Sequence, residues 1–318
     1  MLRELRVSVV KLFVIPILAV VGPTASGKTA LAIELAERLD TEIISADSMQ
    51  VYKGMEIGTG APTPEERARV KHHFVAFLDP GTQFSAGEFE RLAREVVLDL
   101  NARGKTAVVV GGSGLYVRAL VDGLFDGPGA DAAVRKRLHA EADVIGTSAM
   151  FARLTQTDPA YAAQIEPTDL KRIVRALEVH EIAGAPMSVL HAQHRAAHPP
   201  FDAVQVLIDW PRSLLYDRIN ARVDHMIANG FIDEVRRLDE RGHAPHLIRL
   251  RSLGYREFLA YLHGEQAIEH ATDRMKQVTR NFAKRQLTWS RADKRIVWMP
   301  AENTNTLVDT VLDLLRTA

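Results

Sequence analysis

Eight consecutive residues, Gly22-Pro23-Thr24-Ala25-Ser26-Gly27-Lys28-Thr29, match G-x-x-x-x-G-K-[ST] at every fixed position. Residue types in this spacing bind polyphosphate. The glycines let the backbone wrap an anion, Lys28 brings a point charge to the terminal phosphate, and the Thr29 hydroxyl offers a ligand to Mg2+. All eight are candidate binding residues for a diphosphate or a nucleotide. A carboxylate, Asp47, follows the short apolar stretch Glu42-Ile43-Ile44-Ser45. If that stretch is a strand of an open parallel sheet, Asp47 sits where such sheets bind ligands, beyond the carboxyl ends of the strands. These residues name a polyphosphate and leave open which one.

The elements around them must hold the loop in place. Leu18-Ala19-Val20-Val21 reads as a buried strand, and Leu31, Leu35 and Leu39 recur as on the buried face of a helix. Strand, loop and helix start aim backbone N–H groups and the positive helix end at an anion. A Gly- and Pro-containing loop spans Gly54 to Pro64, and Ser85-x-x-Glu88 is a capping box for a helix running to about Asn101. Thr106 to Val110 is an apolar strand ending in Gly111-Gly112-Ser113-Gly114. Strands alternating with helices predict an α/β fold, a parallel-sheet core of the phosphate-loop NTPase kind with helices on both faces. From about Asp122 glycines punctuate the chain, and only helical segments appear until the strand Val204–Ile208. His198-Pro199-Pro200 closes that stretch. The expected organisation is therefore a core of residues 1–121 and 201–318 with a helical insertion domain over 122–200. Later, Leu215, Ile219, Val223, Met226 and Ile227 mark one long helix, with Gly230 interrupting it or ending it. Met275, Val278, Phe282 and Trp289 mark another, before the strand Arg295–Met299 and a terminal helix Leu307–Leu315.

The 318 residues are 47% hydrophobic and 25% charged, ordinary values for a globular chain, and the formal net charge is zero. Neutrality argues against a globally basic nucleic-acid protein, yet it hides clusters. Arg135-Lys136-Arg137 and Lys171-Arg172-x-x-Arg175 fall in the insertion, and Arg249, Arg251 and Arg256 in what reads as a later loop. Between Thr272 and Arg295 there are eight Lys or Arg against two Asp. Such clusters fit either solvated helix faces or an extended polyanion. With no cysteine there is neither a disulfide nor a cysteine-ligated zinc, which fits a reducing compartment. The apolar N-terminus is interrupted by Lys11 and Pro16 and lacks a cleavage site. It reads as a leader of about 14 residues and not as a signal peptide or membrane span, so the expected location is cytoplasmic, without a membrane partner. The adjacent pair His72-His73 reads as structural and on a loop, because no carboxylate lies at metal-ligand spacing.

Five stretches together carry a family resemblance: the phosphate loop; Asp47-Ser48-Met49-Gln50-Val51-Tyr52 with Gly54-Met55-x-Ile57-Gly58-Thr59; Gly111-Gly112-Ser113-Gly114-Leu115-Tyr116; Arg172-Ile173-Val174-Arg175-Ala176-Leu177-Glu178; and Ala283-Lys284-Arg285-Gln286-x-Thr288-Trp289. In this order, over residues 18 to 299, the chain resembles the bacterial tRNA dimethylallyltransferases, also called tRNA isopentenyltransferases. The resemblance implies transfer of a dimethylallyl group from dimethylallyl diphosphate to the exocyclic N6 amine of the adenosine just 3′ of the anticodon, with release of pyrophosphate. It implies Mg2+ as cofactor, tRNA (its anticodon stem-loop) and dimethylallyl diphosphate as partners, and, as expected here, a monomer.

By the same resemblance Asp47 is the general base, while Lys28, Thr29 with its Mg2+, and Arg222 stabilise the leaving group. Contacts to tRNA then fall on Asp47, Ser48, Met49 and Gln50; on Ser113 and Arg135; on Lys171, Arg172, Ile173, Val174 and Arg175; and on Arg251, Ser252, Leu253, Gly254, Tyr255 and Arg256. Two departures stand out. The family commonly reads Gly-Thr-Ala-Lys-Pro where this chain has Gly58-Thr59-Gly60-Ala61-Pro62, and Lys71 replaces a proline before the histidine pair. Three other readings share the loop: a prenyltransferase acting on AMP or ATP, a small-molecule kinase, and a non-enzymatic nucleotide switch that binds RNA. The Arg-rich insertion tells against the first.

Overall fold

The structure, a computed structural model, describes residues 17–125, 127–196 and 201–317. The leader and the His198-Pro199-Pro200 segment lie outside these residues. Six strands form one all-parallel sheet: β1 (Ile17–Val21), β2 (Ile43–Ser45), β3 (His72–His73), β4 (Val108–Gly111), β5 (Ala203–Asp209) and β6 (Ile296–Pro300). Their spatial order is β3-β2-β4-β1-β5-β6, which puts β1 between β4 and β5. Register is fixed by pairs such as Val21 with Gly111 and Val20 with Val206.

Apolar runs become two-sided because side chains alternate along a strand. Ile17, Ala19 and Val21 face one core with Val109, Leu207 and the helices Ala86–Ala102 and Gly114–Asp122. Leu18 and Val20 face the other, with Val206, Ile208 and the helices Lys28–Arg38 and Thr304–Thr317. The Ser85 capping box is formed, with the Ser85 hydroxyl accepting from Glu88 N and the Glu88 carboxylate from Ser85 N. A third core, built around Met55, Phe231, Tyr255 and Phe258, lies under the helices that follow Gly230.

The described residues fall into two compact units, with boundaries at Asp122/Gly123 and Pro199/Pro200. The second unit is helical throughout and has a core of its own, centred on Leu138, Met150, Leu154, Ile173 and Leu177. Aspartates start its helices. Asp131 accepts from Ala133 N and Val134 N, and Asp169 from Arg172 N. Buried Asp158 joins two segments by accepting from Tyr161 N and Ser188 N. Each such cap contributes about 1 kcal/mol.

Several elements differ from the sequence expectation. His72-His73, expected on a loop, is the edge strand β3, paired to Ile43 and Ile44. Two polar residues show no alternation that could reveal a strand. Both rings have protein partners: His72 Nδ1 lies 2.8 Å from the Val70 carbonyl and His73 Nε2 2.6 Å from Glu42. Inside the Gly54–Pro64 loop sits a one-turn helix, Glu56–Thr59. Gly230, at φ +93°, ends one helix and starts the next, Phe231–Glu240. Arg249, Arg251 and Arg256, expected in a loop, lie on or at the ends of the helices Ala244–Leu250 and Tyr255–Leu262. Along Ile268–Ala292 the fully buried positions are Ala271, Met275, Thr279, Ala283, Gln286 and Ser290, whereas Val278, Phe282 and Trp289 are only partly covered. That helix packs beside glycine loops, where small or hydrogen-bonding side chains fit better than large apolar ones.

Candidate active site

The phosphate loop leaves the end of β1 and enters the helix Lys28–Arg38 through Gly27, which is left-handed at φ +91°. A side chain at Gly22, φ +133°, would press on Leu207 at 3.2 Å. Donors already hold three of the loop's carbonyls. Lys28 Nζ donates to Pro23 O (3.2 Å), Arg218 Nε to Ala25 O (2.8 Å) and Trp210 Nε1 to Ser26 O (2.9 Å). Arg218 also lies over the Trp210 ring at 4.2 Å. Gln286 ties the loop to the next one, accepting from Thr24 N and donating to Gly112 O, each at 3.0 Å. No side chain caps the helix start. Its first N–H groups therefore remain donors without an intrahelical partner, which suits an anion.

Beside the loop opens a cleft of about 240 Å³, lined by Lys28, Thr29, Asp47, Ser113 and Arg222 among others. Asp47 follows β2 and turns its Oδ1 onto the next backbone, accepting from Met49 N (2.9 Å) and Gln50 N (3.4 Å). Oδ2 takes no hydrogen bond among the described residues. One oxygen thus orients the group and the other is available to a ligand. Ser113 Oγ accepts from Ser48 N at 3.0 Å and donates to Ser48 Oγ at 3.2 Å, so the glycine loop after β4 is tied to the turn after β2. Removal from water and the charge of Arg222 bring the Lys28 ammonium down to about 8, against the opposing pull of Asp47. Removal from water likewise lowers the Arg222 guanidinium, again opposed by Asp47. Lys28, Arg222, Arg251 and Arg285 line the cleft against one lining carboxylate, Asp47, while Glu66 pulls on Arg222 from outside the lining, so the cleft carries an excess positive charge that an anion would neutralise.

The lining also includes apolar side chains, those of Val223, Met226, Leu250, Leu253, Met275 and Phe282. Arg251 reaches the same cleft from a left-handed backbone at φ +52°, and Ser252 lines it too.

The structure thus brings together the phosphate loop, Asp47 to Gln50, Ser113, Arg222 and Arg251 to Leu253. It does not bring Gly254, Tyr255 or Arg256 to the cleft. Tyr255 is fully buried and donates to Glu234 at 2.7 Å, while Arg256 is exposed. In the helical unit Ile173 and Val174 are core side chains, so only their backbone could meet a partner. Arg135 and Arg175 both pair with Glu178, whose side chain is wholly buried (2.9 and 2.7 Å), and Arg175 also donates to Pro128 O at 2.8 Å. Arg137 pairs with Glu181 and Arg172 with Asp169. Lys171 is exposed and makes no ion pair among the described residues. Sequence reasoning missed Gln286, Trp210, Arg218 and Glu234 as parts of the site's frame. Of these, only Gln286 lies in a stretch quoted from the sequence, the motif that begins at Ala283.

A parallel sheet, a phosphate loop at its carboxyl edge and a cleft with cationic, acidic and apolar lining define a phosphate-loop fold with a cleft suited to an anion. The comparisons then single out one family. The family model described as IPP transferase matches residues 50–293. A tRNA dimethylallyltransferase of Syntrophobacter fumaroxidans is 46% identical over 294 residues, spanning 92% of this chain and 86% of that one. Another, of Geobacter metallireducens, is 47% identical over 278 residues, 87% and 90% of the two chains. Among solved structures, the full-length tRNA isopentenylpyrophosphate transferase of Bacillus halodurans superposes with a TM-score of 0.69 at 36% identity, covering 95% of this chain and 97% of that one. A eukaryotic dimethylallyltransferase acting on tRNA gives 0.77 at 26% identity, covering 91% and 74%. The chain belongs to the IPP transferase family.

Proposed function

We propose that the chain transfers the dimethylallyl group of dimethylallyl diphosphate to the N6 amine of the adenosine 3′-adjacent to the anticodon in tRNA, releasing pyrophosphate. Dimethylallyl transfer to a tRNA adenosine near the anticodon is the family's reaction, and this chain is an enzyme of that kind. The observation that carries the finer reading is the cleft itself. The loop, Lys28 and Arg222 offer an anion site, and Val223, Met226, Met275 and Phe282 give the same cleft apolar lining that suits a five-carbon chain.

The chemistry follows from that layout. The adenine leaves its stack to reach the cleft, as for any enzyme acting on a base amine. N6 attacks the allylic carbon, the carbon–oxygen bond breaks, and its electron pair departs with pyrophosphate. Lys28, Arg222 and the helix-start N–H groups meet the charge that grows on the leaving oxygens, and one such donor is worth about 10²- to 10³-fold in rate. Asp47, held by Met49 N and Gln50 N, offers Oδ2 to the N6 proton, orienting the amine and then accepting that proton. The residues fit Mg2+ of the kind that stays mostly with phosphate and water. Among the described residues no group of three or more acidic or histidine side chains could cage a metal, while the Thr29 hydroxyl and Asp47 line the cleft. Bound there, Mg2+ would neutralise charge on the diphosphate.

Recognition of tRNA falls on Asp47 to Gln50, Ser113 and Arg251 to Leu253 at the cleft, and on Lys171 and Arg172 in the helical unit. Among the described residues no helix is long and apolar enough to cross a membrane. Incubation with tRNA, Mg2+ and labelled dimethylallyl diphosphate should yield prenylated adenosine and free pyrophosphate, and ATP should not replace the donor. Transfer or hydrolysis of the ATP γ-phosphate at a comparable rate would overturn the reading in favour of a kinase.

A further inference from the structure

Glu234 is 2% exposed and lies outside the cleft, yet its carboxylate accepts three hydrogen bonds. Ile57 N donates to Oε2 at 2.8 Å, Gly58 N to Oε1 at 2.9 Å and the Tyr255 hydroxyl to Oε1 at 2.7 Å. No Lys or Arg pairs with it among the described residues. Burial of an unpaired carboxylate is costly, and water would solvate it better unless the groups it holds repay the cost. Two of its three donors, the amides of Ile57 and Gly58, belong to the one-turn helix Glu56–Thr59, which the left-handed Gly60 ends.

This turn is what the cleft's polar side chains lean on. Arg222 Nη2 donates to Thr59 O at 3.5 Å, and Gln50 Nε2 donates to Gly60 O at 3.0 Å. Gln50 in turn accepts from Ser45 Oγ at 3.0 Å. The fit is tight on both faces. A methyl at Gly60 would run into the Arg222 guanidinium, and one at Gly58 into Phe231 and Tyr255. Tyr255 packs edge-on to Phe231 at 5.1 Å, which fixes the hydroxyl that faces Glu234. A four-residue helix has too few internal bonds to hold itself rigid, so its position is set by the carboxylate behind it.

We propose that Glu234, seconded by Tyr255, is a positioning residue for the transfer: by gripping the amides of Ile57 and Gly58 it sets the Thr59 and Gly60 carbonyls that aim Arg222 and Gln50 into the cleft. This rests on the reading of the cleft as a diphosphate site. Glu234→Gln keeps the shape but replaces one acceptor oxygen with an NH2, which in either orientation opposes a backbone N–H, that of Ile57 or of Gly58.

The test uses the full chain and two readouts independent of tRNA turnover. Calorimetry with inorganic pyrophosphate and Mg2+ should show affinity falling about tenfold in Glu234→Gln, the order expected when an aimed cationic donor is misplaced. The Arg222 side-chain Nε–H resonance, identified by its loss in Arg222→Lys, should shift. Turnover should drop about tenfold or more while the salt dependence of tRNA affinity, set by phosphate contacts made by other residues, stays unchanged. Tyr255→Phe removes one of the three donors and should move pyrophosphate affinity and the Arg222 resonance in the same direction by less. It keeps the idea testable if Glu234→Gln folds poorly. Unchanged pyrophosphate affinity and an unmoved Arg222 resonance in folded protein, with only the melting temperature lowered, would make Glu234 a structural residue and overturn the proposal. Wild-type protein that binds pyrophosphate but prenylates no tRNA would overturn the reaction instead and leave the positioning role standing.

Discussion

Among the residues lining the cleft, Lys28 and Arg222 have one carboxylate in common, Asp47, whereas in the helical unit one wholly buried carboxylate, Glu178, holds both Arg135 and Arg175. The two regions spend positive charge in opposite ways. In the first, desolvated cations exceed the acids near them, so the field is completed only by an incoming anion. In the second, the arginines are already matched, and what they complete is the protein's own fold: Glu178 also accepts from Asp131 N at 2.8 Å, and Arg175 reaches the carbonyl of Pro128. Counting basic residues treats the two alike. Their partners separate a binding site from a scaffold, and in the helical unit Lys171, which makes no ion pair among the described residues, and Arg172, whose contact to Asp169 is a surface one, are exposed cations suited to phosphate contacts.

The sharpest way to break this contrast is at the shared carboxylate. Asp47→Asn should cost about 10²-fold or more in turnover, the usual scale for removing a general base, with tRNA affinity little changed. Single-turnover kinetics at saturating substrates would show it. Near-normal turnover would reduce Asp47 to the turn cap that its Oδ1 already makes.

Next in size is a pH effect on the donor site. Lys28 loses its proton through about 8 in the free protein, and a bound diphosphate favours the protonated form. Affinity is therefore full below that value and falls as pH rises through it, so the KM for dimethylallyl diphosphate should climb about tenfold per pH unit on the alkaline side. Removing the Arg222 charge, the second cause of the depression, should move the break upward in Arg222→Ala. A KM flat to pH 9.5 would deny Lys28 a place at the phosphate.

Stability in the helical unit should respond to the acid that organises it. Glu178→Ala leaves two arginines without their partner, and because both are partly exposed the loss should be about 2 kcal/mol, below that of a fully buried pair. Denaturant unfolding that resolves the unit would measure it, and the pyrophosphate affinity of the cleft should not change. The smallest effect is on salt dependence. Lys171→Ala with Arg172→Ala should flatten the slope of log affinity for tRNA against log salt by about one to two units. Arg175→Ala should leave the slope nearly alone and lower stability instead. Equal slopes for both variants would erase the distinction between ligand-seeking and fold-building arginines.

How much could be read without coordinates depends on sequence separation. The phosphate loop, the Ser85 capping box, the helical run after Asp122 and the helices on both faces of the sheet are all local or periodic. Their geometry is dictated within a few residues by backbone sterics, caps and side-chain alternation, and they were legible. The parallel α/β class followed from them. The interruption of the long helix at Gly230 was visible only as a punctuation mark, and β3 not at all, because two polar residues borrow their strand geometry from Ile43 and Ile44 next door.

The residues Asp47, Ser113 and Arg222 were named from sequence by resemblance, but what each one does in the cleft is a matter of packing. Gln286 bridges to loops 262 and 174 residues away, Arg222 meets a carbonyl 163 residues away, and Glu234 grips an amide 177 residues away. No periodicity encodes such pairs, since the chain between them only has to close the loop, at an entropic cost that grows slowly with length. For the same reason Tyr255 and Arg175, which sit inside basic or motif-bearing stretches, reveal themselves as core and scaffold only once folded. Local backbone physics is written residue by residue, and the loop that holds the anion belongs to it. Which distant carboxylate faces which cation, and hence where charge is left over for a ligand, is decided when the sheet and helices close around one another.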